Sequence, residues 1–337
     1  MPEDRSYITG LALGYQVSQV LFAALHLRLF TLLEEGAGDA EELAARSGVD
    51  REALNRLLKA LVDLKLVQQQ EDGSYRNAAL ASRCLVEGGK EFWGSTVHHA
   101  SNLWPFWENL DEQIKSGTPK MPSPAYLEDY PHRLGDYLAA MDEGASAKVS
   151  AIADAIGLNK FRNMLDAGCG PGSYAIAFCG MNPDLSVTLI DLEPSLEAAR
   201  RSAQERGWGE RITCRTCQLL EDPIPGDGYD LVFLSNLIHA YGERDVELIL
   251  EKLWGVLAVP GELVIHDYLL DAGGGQTLYA SLFNLTMLVG TLRGRCYSVD
   301  EMKVMLTRLH AAEVITVPIG LGTSLIRAKK TIRGGRK

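Results

Sequence analysis

The stretch that most constrains this chain runs from Asn163 to Glu193, NMLDAGCGPGSYAIAFCGMNPDLSVTLIDLE. A short apolar run (Met164, Leu165) leads into a turn with glycines at Gly168, Gly170 and Gly172. An apolar segment at helical spacing, Tyr174 to Cys179, comes next. A second apolar run, Val187 to Ile190, then ends in Asp191. Strand, glycine turn, helix and strand in this order predict a βαβ unit, the opening of a parallel sheet.

The chemistry of a ligand at that turn can be read from its acids. Asp191 stands where a carboxylate bonds the two hydroxyls of a ribose, and glycine lets a ligand approach the backbone closely, so a nucleoside is expected. The first strand also ends in an acid, Asp166, and Ser173 stands where a dinucleotide fingerprint places its third glycine. A carboxylate beside the turn repels a pyrophosphate and welcomes an ammonium. These features favour S-adenosylmethionine, which is cationic and carries no phosphate, over NAD or FAD.

At 337 residues the chain can form two domains with sizeable cores. Its formal net charge of −11 argues against a nucleic-acid partner, because phosphate binding needs a basic surface. The apolar run Val17 to Phe30 is too short for a membrane span, contains His26 and Arg28, and follows no basic region or cleavage site. A cytoplasmic protein with a small-molecule partner is therefore expected. Six scattered cysteines suit reduced thiols, and Cys214-x-x-Cys217, without a second ligand pair, reads as structural. No metal is expected.

Along the chain, apolar residues from Ser6 to Leu33 recur at helical spacing on more than one face, which fits burial against another subunit or against the chain's own domain. Asp39 and Asp50 can each cap a helix, Gly48 ends the first, and Glu71-Asp72-Gly73 joins two short strands. Helix, turn, helix and hairpin form a winged-helix plan. Glu91 to Ile114 carries Phe92, Trp93, Trp104, Phe106 and Trp107 with His98 and His99 between them. These are core residues or, around Trp93 and His98, the lining for a flat acceptor. Lys115 to Pro124 reads as a loop, Leu134 to Ile156 as helix, and the rest as alternating strands and helices, with a flexible tail at 331–337.

In open α/β sheets ligands sit beyond the carboxyl ends of the strands. Gly168, Asp191, the segment Ser235 to Tyr241 and Asp267 fall there. His239 follows the fourth strand at the height of a substrate beside the cofactor. Methyl transfer is an in-line displacement that needs an unprotonated nucleophile, so a hydroxyl acceptor benefits from a nearby base. His239 is the candidate base, with Asp267 as the carboxylate that orients it.

With these residues in place, the chain resembles the S-adenosylmethionine-dependent O-methyltransferases of the caffeate and acetylserotonin type, along almost its entire length. VSQVLFAALHLRLFTLL is similar to the family's dimer-forming entry helix, DYLAAM to its segment before the cofactor domain, and LDAGCGPG to its first cofactor motif. SNLIHAYGERD aligns His239 with the family's catalytic base, and LVIHDYLLD places Asp267 where the family has a supporting glutamate. The resemblance implies an α/β fold: a Rossmann-like class I methyltransferase domain at 116–330 behind a mostly helical winged-helix dimerisation domain at 1–115. It implies a homodimer through the N-terminal helices and S-adenosyl-L-methionine as cofactor. By the same likeness Asp191 holds the ribose, Leu192 is a further cofactor-binding residue, Gln218 and Leu219 flank the adenine, Ser235 lies near the methionine portion, and Met141 and Met287 border the acceptor. Where plant members carry a second supporting glutamate, this chain has Cys296. The expected reaction moves a methyl group to a hydroxyl of a small aromatic acceptor. A nitrogen, carbon or sulfur acceptor, or a non-methylating protein on the same fold, stands as the alternative.

Overall fold

The computed structural model describes residues 2–119, 131–271 and 277–331. Part of the expected loop at 115–124 and nearly all of the tail lie outside the described residues. Two compact units form, one from Met1–Trp104 with Gly135–Glu143 and the other from Pro105–Leu134 with Gly144–Lys337.

The first unit opens with helices α1 (Pro2–His26) and α2 (Leu29–Glu34). The apolar pattern predicts one uninterrupted helix here, but Arg28 adopts φ 54° and breaks it. The break lets Leu29, Phe30, Leu32 and Leu33 of α2 turn into a core shared with Leu43, Leu58 and Leu61. Both expected caps form. Asp39 accepts from the Glu41 and Glu42 N–H groups ahead of α3 (Ala40–Ser47), and Asp50 from that of Ala53 ahead of α4 (Arg51–Asp63). Leu54, Leu58 and Leu61 line the buried stripe of α4, at the spacing of an amphipathic helix. Strands β1 (Val67–Gln69) and β2 (Tyr75–Asn77) pair antiparallel and complete the winged-helix plan. Two basic groups of this plan are taken up locally: Arg46 bonds Glu35 and Arg56 bonds Glu52. After α5 (Ala79–Cys84) come α6 (Gly94–Trp107) and α7 (Leu110–Ser116), the latter within the second unit; the first turn of α6 is held by the Glu143 carboxylate of α8 (Pro131–Ser146) through the Ser95 and Thr96 N–H groups. The outer face of α1 leaves Tyr7, Ile8, Leu11, Tyr15 and Val17 at least half exposed. By length and composition its Asp4–His26 portion could cross a bilayer.

The second unit is a sheet of seven strands in the order β5-β4-β3-β6-β7-β9-β8. These are β3 (Asn163–Ala167), β4 (Ser186–Asp191), β5 (Ile212–Thr216), β6 (Tyr229–Ser235), β7 (Leu257–Asp267), β8 (Glu313–Gly320) and β9 (Thr323–Lys330). The first five run parallel and β9 is antiparallel to both its neighbours. Because the interior strands are covered on both faces they read as apolar runs, Leu231 to Leu234 being wholly buried. One face packs α9 (Val149–Ile156), α10 (Ser173–Met181) and α11 (Glu193–Glu205), and the other α12 (Glu243–Val256) and α14 (Val299–Arg308). A Pro-Gly pair is locally a stop signal for the helix before it, yet Pro260 and Gly261 lie inside β7. The strand absorbs them in a bulge, where three residues of β6 (Tyr229 to Leu231) face six of β7 (Leu257 to Glu262). The order turns outward in both directions from β3 and β6, so a crevice opens at their carboxyl ends.

Candidate active site

The glycine turn sits at that crevice, and each glycine has its own reason. Gly168 (φ 69°) is where the chain leaves β3, and a Cβ there would lie 2.6 Å from the Leu237 side chain. Gly170 (φ 54°) has nothing within 4 Å of a Cβ position, so its backbone faces open space that a ligand can enter. Gly172 is the cap of α10. The turn is fastened from the next strand: Asp191 at the end of β4 accepts the Gly170 N–H at 2.8 Å and the Leu192 N–H at 2.6 Å. Four lone-pair positions on a carboxylate leave it free to accept from a ligand as well. Leu192 is half exposed beside it, while Gln218 and Leu219 follow β5 on the same edge.

Asp166 is the other acid of the turn. Burial pushes its carboxyl up to about 8, and the nearby Asp191 charge adds to the effect. Near pH 7 it is therefore largely a neutral acid until a cation arrives. The Ser173 hydroxyl and the Asn236 amide oxygen are buried with no hydrogen-bond partner among the described residues. Buried polar atoms of this kind ask for a ligand. Two acids, an accessible backbone turn and orphaned polar groups fit a cationic nucleoside, so these residues suit S-adenosylmethionine.

Beyond β6 the chain turns sharply. Asn236 takes φ 50°, a conformation asparagine tolerates better than most residues, and its N–H bonds the His266 carbonyl. A single 3₁₀ turn, Ile238–Ala240, then carries His239 over the end of β7. There the His239 Nδ1–H donates to Asp267 Oδ1 at 2.6 Å, with the side chains 12% and 1% exposed. The same oxygen accepts the Tyr268 N–H at 2.7 Å. A carboxylate cannot donate, so this bond fixes the proton on Nδ1 and leaves the Nε2 lone pair as the basic site. The two residues, which the sequence places on one strand-end edge, meet across a separation of 28 positions.

The structure adds residues that the sequence did not single out. On α13 (Thr277–Gly290) Phe283 meets the His239 ring edge-on at 4.7 Å and stacks on Tyr268 at 4.0 Å. Met287, one turn further along α13, is buried. A Tyr279, Phe283, Met287 spacing of four residues was the available signal, since it puts all three on one helical face. Cys296 is a buried thiol whose ionisation is pushed up to about 12 by burial and by the Asp267 charge, so it stays neutral. Ser235 donates to His266 Nδ1 at 2.8 Å, the His266 Nε2–H donates to Thr323 Oγ1 at 2.9 Å, and the Thr323 hydroxyl donates to the Gly320 carbonyl. Ser235 is thereby an oriented group at the end of β6. Trp93, His98 and Met141 belong to the first unit, where His98 stacks on His26 with ring centroids 5.2 Å apart and Trp93 donates its N–H to the Cys84 carbonyl. Among the described residues no three His, Cys, Asp or Glu side chains form a metal-binding group.

Comparison with known proteins decides the family. The O-methyltransferase dimerisation domain matches residues 9–87, and the O-methyltransferase domain matches residues 117–309. This chain belongs to the S-adenosylmethionine-dependent O-methyltransferases. The methyltransferase is 30% identical over 314 residues to 3-hydroxy-5-methyl-1-naphthoate 3-O-methyltransferase of Streptomyces sahachiroi, covering 92% of this chain and 90% of that one. It is 27% identical over 269 residues to the N,N-dimethyltransferase OxyT of Streptomyces rimosus, covering 77% of each. Among solved structures, human N-acetylserotonin methyltransferase in complex with S-adenosylmethionine shares its fold at a TM-score of 0.88, with 24% identity over 98% of both chains.

Proposed function

We propose that this methyltransferase moves a methyl group to the hydroxyl of a small aromatic acceptor, with His239 as general base and Asp267 as its orienting carboxylate. The observation that carries the assignment is the His239–Asp267 bond at the edge where Gly170, Asp191 and Asp166 face a cofactor. S-Adenosylmethionine supplies an electrophilic methyl group on a cationic sulfur. The chain's part is to hold the acceptor oxygen in line with it and to take the proton. A phenol of pKa ~10 facing an imidazole of ~6.5 makes proton transfer cost roughly 5 kcal/mol. The carboxylate on Nδ1 stabilises the imidazolium that forms and so reduces that cost. Phe283 and Tyr268 offer a flat apolar wall beside the base, which suits an aromatic ring. The relative that methylates a hydroxynaphthoate supports the same acceptor class.

A panel of naphthols, hydroxynaphthoates and aryl amines, incubated with methyl-labelled cofactor, tests this reading. Label is expected in ether products of the hydroxyaryl members. Label confined to the amines would replace the reading with N-methylation, which the likeness to OxyT makes the second choice.

The exposed apolar face of α1, from Tyr7 to Val17, falls largely within the region that the dimerisation domain matches. A second copy of the chain is its proposed cover, since an apolar face of this size marks an association site. Replacing Leu11 and Val17 by glutamate is expected to convert a dimer to a monomer in sedimentation. A parent chain that sediments as a monomer at micromolar concentration would overturn the proposal.

A further inference from the structure

Lys148 is charged, buried and unused by the chemistry above. It lies at the start of α9, with 6% of its surface exposed. A buried ammonium costs several kcal/mol unless an anion or a set of acceptors compensates it. Among the described residues its Nζ has the face of Tyr268, 5.9 Å from the ring centroid, in place of a carboxylate. Asp267 is near enough to act on it electrostatically, but no hydrogen bond joins the two, and Asp267 Oδ1 accepts from His239 and from the Tyr268 N–H instead. The second Asp267 oxygen, Oδ2, is buried and unpartnered among the described residues. His266 also feels the Lys148 charge, yet both of its ring nitrogens are committed, to Ser235 and Thr323. Tyr268 offers only its ring. Burial draws the Lys148 ammonium down to about 8 against the pull of Asp267, which again describes a cation without a full partner.

We propose that Lys148 is a carboxylate-binding residue of the active site, holding the anionic group of a bound ligand beside the carboxyl end of β7. Three features argue for a ligand here. The residue is more than nine-tenths buried, its ammonium has no hydrogen bond or ion pair among the described residues, and Tyr268 links it through the Phe283 stack to His239. Two carboxylates can reach this edge, the α-carboxylate of the cofactor's methionine portion and an acid group on the aromatic acceptor. The second source rests on the acceptor class proposed above, and the first does not.

The test uses the whole protein and the Lys148→Met variant, which removes the charge and keeps the apolar stem. If the cofactor is the source, calorimetric affinity for S-adenosylmethionine falls about tenfold or more in K148M, while affinity for the decarboxylated analogue stays within twofold. If the acceptor is the source, kcat/KM for a hydroxynaphthoate falls by a similar factor, mostly through KM, and that for the matching naphthol is unchanged. Either pattern supports the assignment. Equal behaviour of acid and neutral ligands in both pairs, with a raised melting temperature, would show an uncompensated structural lysine and overturn it. Should K148M fail to fold, the parent protein carries the test: its preference for the carboxylate-bearing member of a pair is expected to fade as pH rises past about 8, and a pH-independent preference overturns the assignment. A parent that methylates no hydroxyl removes the acceptor source alone, because the cofactor titrations still read Lys148.

Discussion

Replacing His239 by alanine is expected to lower turnover by about 100-fold or more while S-adenosylmethionine and S-adenosylhomocysteine bind as they do to the parent. The imidazole is held by one short bond, from Nδ1–H to Asp267 Oδ1 at 2.6 Å, and packed against the Phe283 edge, so its role depends on orientation as much as on basicity. Asp267→Asn probes the orientation separately. An amide can present its NH2 group to Nδ1, which moves the imidazole proton to Nε2 and turns the base into an acid. A large loss in kcat with unchanged cofactor affinity is expected for that variant too. Single-turnover rates with a naphthol acceptor give the comparison, and full activity in H239A would remove the base from the mechanism.

Cofactor affinity should fall roughly 100-fold or more in Asp191→Ala, because two charge-assisted hydrogen bonds to ribose hydroxyls contribute about 1.5–3 kcal/mol each. The same side chain fastens the glycine turn through the Gly170 and Leu192 N–H groups, so a modest drop in melting temperature accompanies the loss. An unchanged Kd would mean that the ribose is held elsewhere. Asp166 adds a pH dependence whose sign follows from its pKa. With the unliganded carboxyl at about 8, binding a cation draws it below that value and releases a proton. Affinity for S-adenosylmethionine therefore rises from pH 6 to pH 8, by at most ~10-fold per unit, and levels off above. S-Adenosylhomocysteine keeps the ammonium but lacks the sulfonium, so equal slopes for both ligands point to the ammonium as the group that Asp166 meets. A flat profile for both would show that Asp166 meets neither.

Local signals were enough for the parts of the site that lie within one stretch of chain. Asp39 and Asp50 cap helices because a side-chain oxygen three residues from an N–H can do little else there. The glycine turn, Asp166 and Asp191 were legible because a βαβ unit has one hand and brings strand ends to one edge. Even His239 could be placed on that edge from its position after an apolar run. The break at Arg28 was not legible, since apolar spacing continues through it and only the packing of Phe30 and Leu33 against α4 makes the turn favourable. Nor was the bulge at Pro260, whose proline and glycine read locally as a stop, whereas pairing with β6 and β9 holds them in a strand.

What the sequence by itself determined is the order of elements, the strand ends that carry the acids and histidine, and the family. Each of these rests on contacts within about thirty residues or on a motif read in a single run. Only the tertiary structure decided which partners those residues meet. Asp267 reaches His239 because β6 and β7 are parallel neighbours whose last residues stand in register, Ser235 beside His266. Phe283 and Tyr268 close over the base because α13 returns to the sheet edge, and Lys148 meets the Tyr268 ring because α9 starts there. Burial and charge pairing at one edge come from strands and helices far apart in the chain, and no periodicity within any of them encodes that meeting.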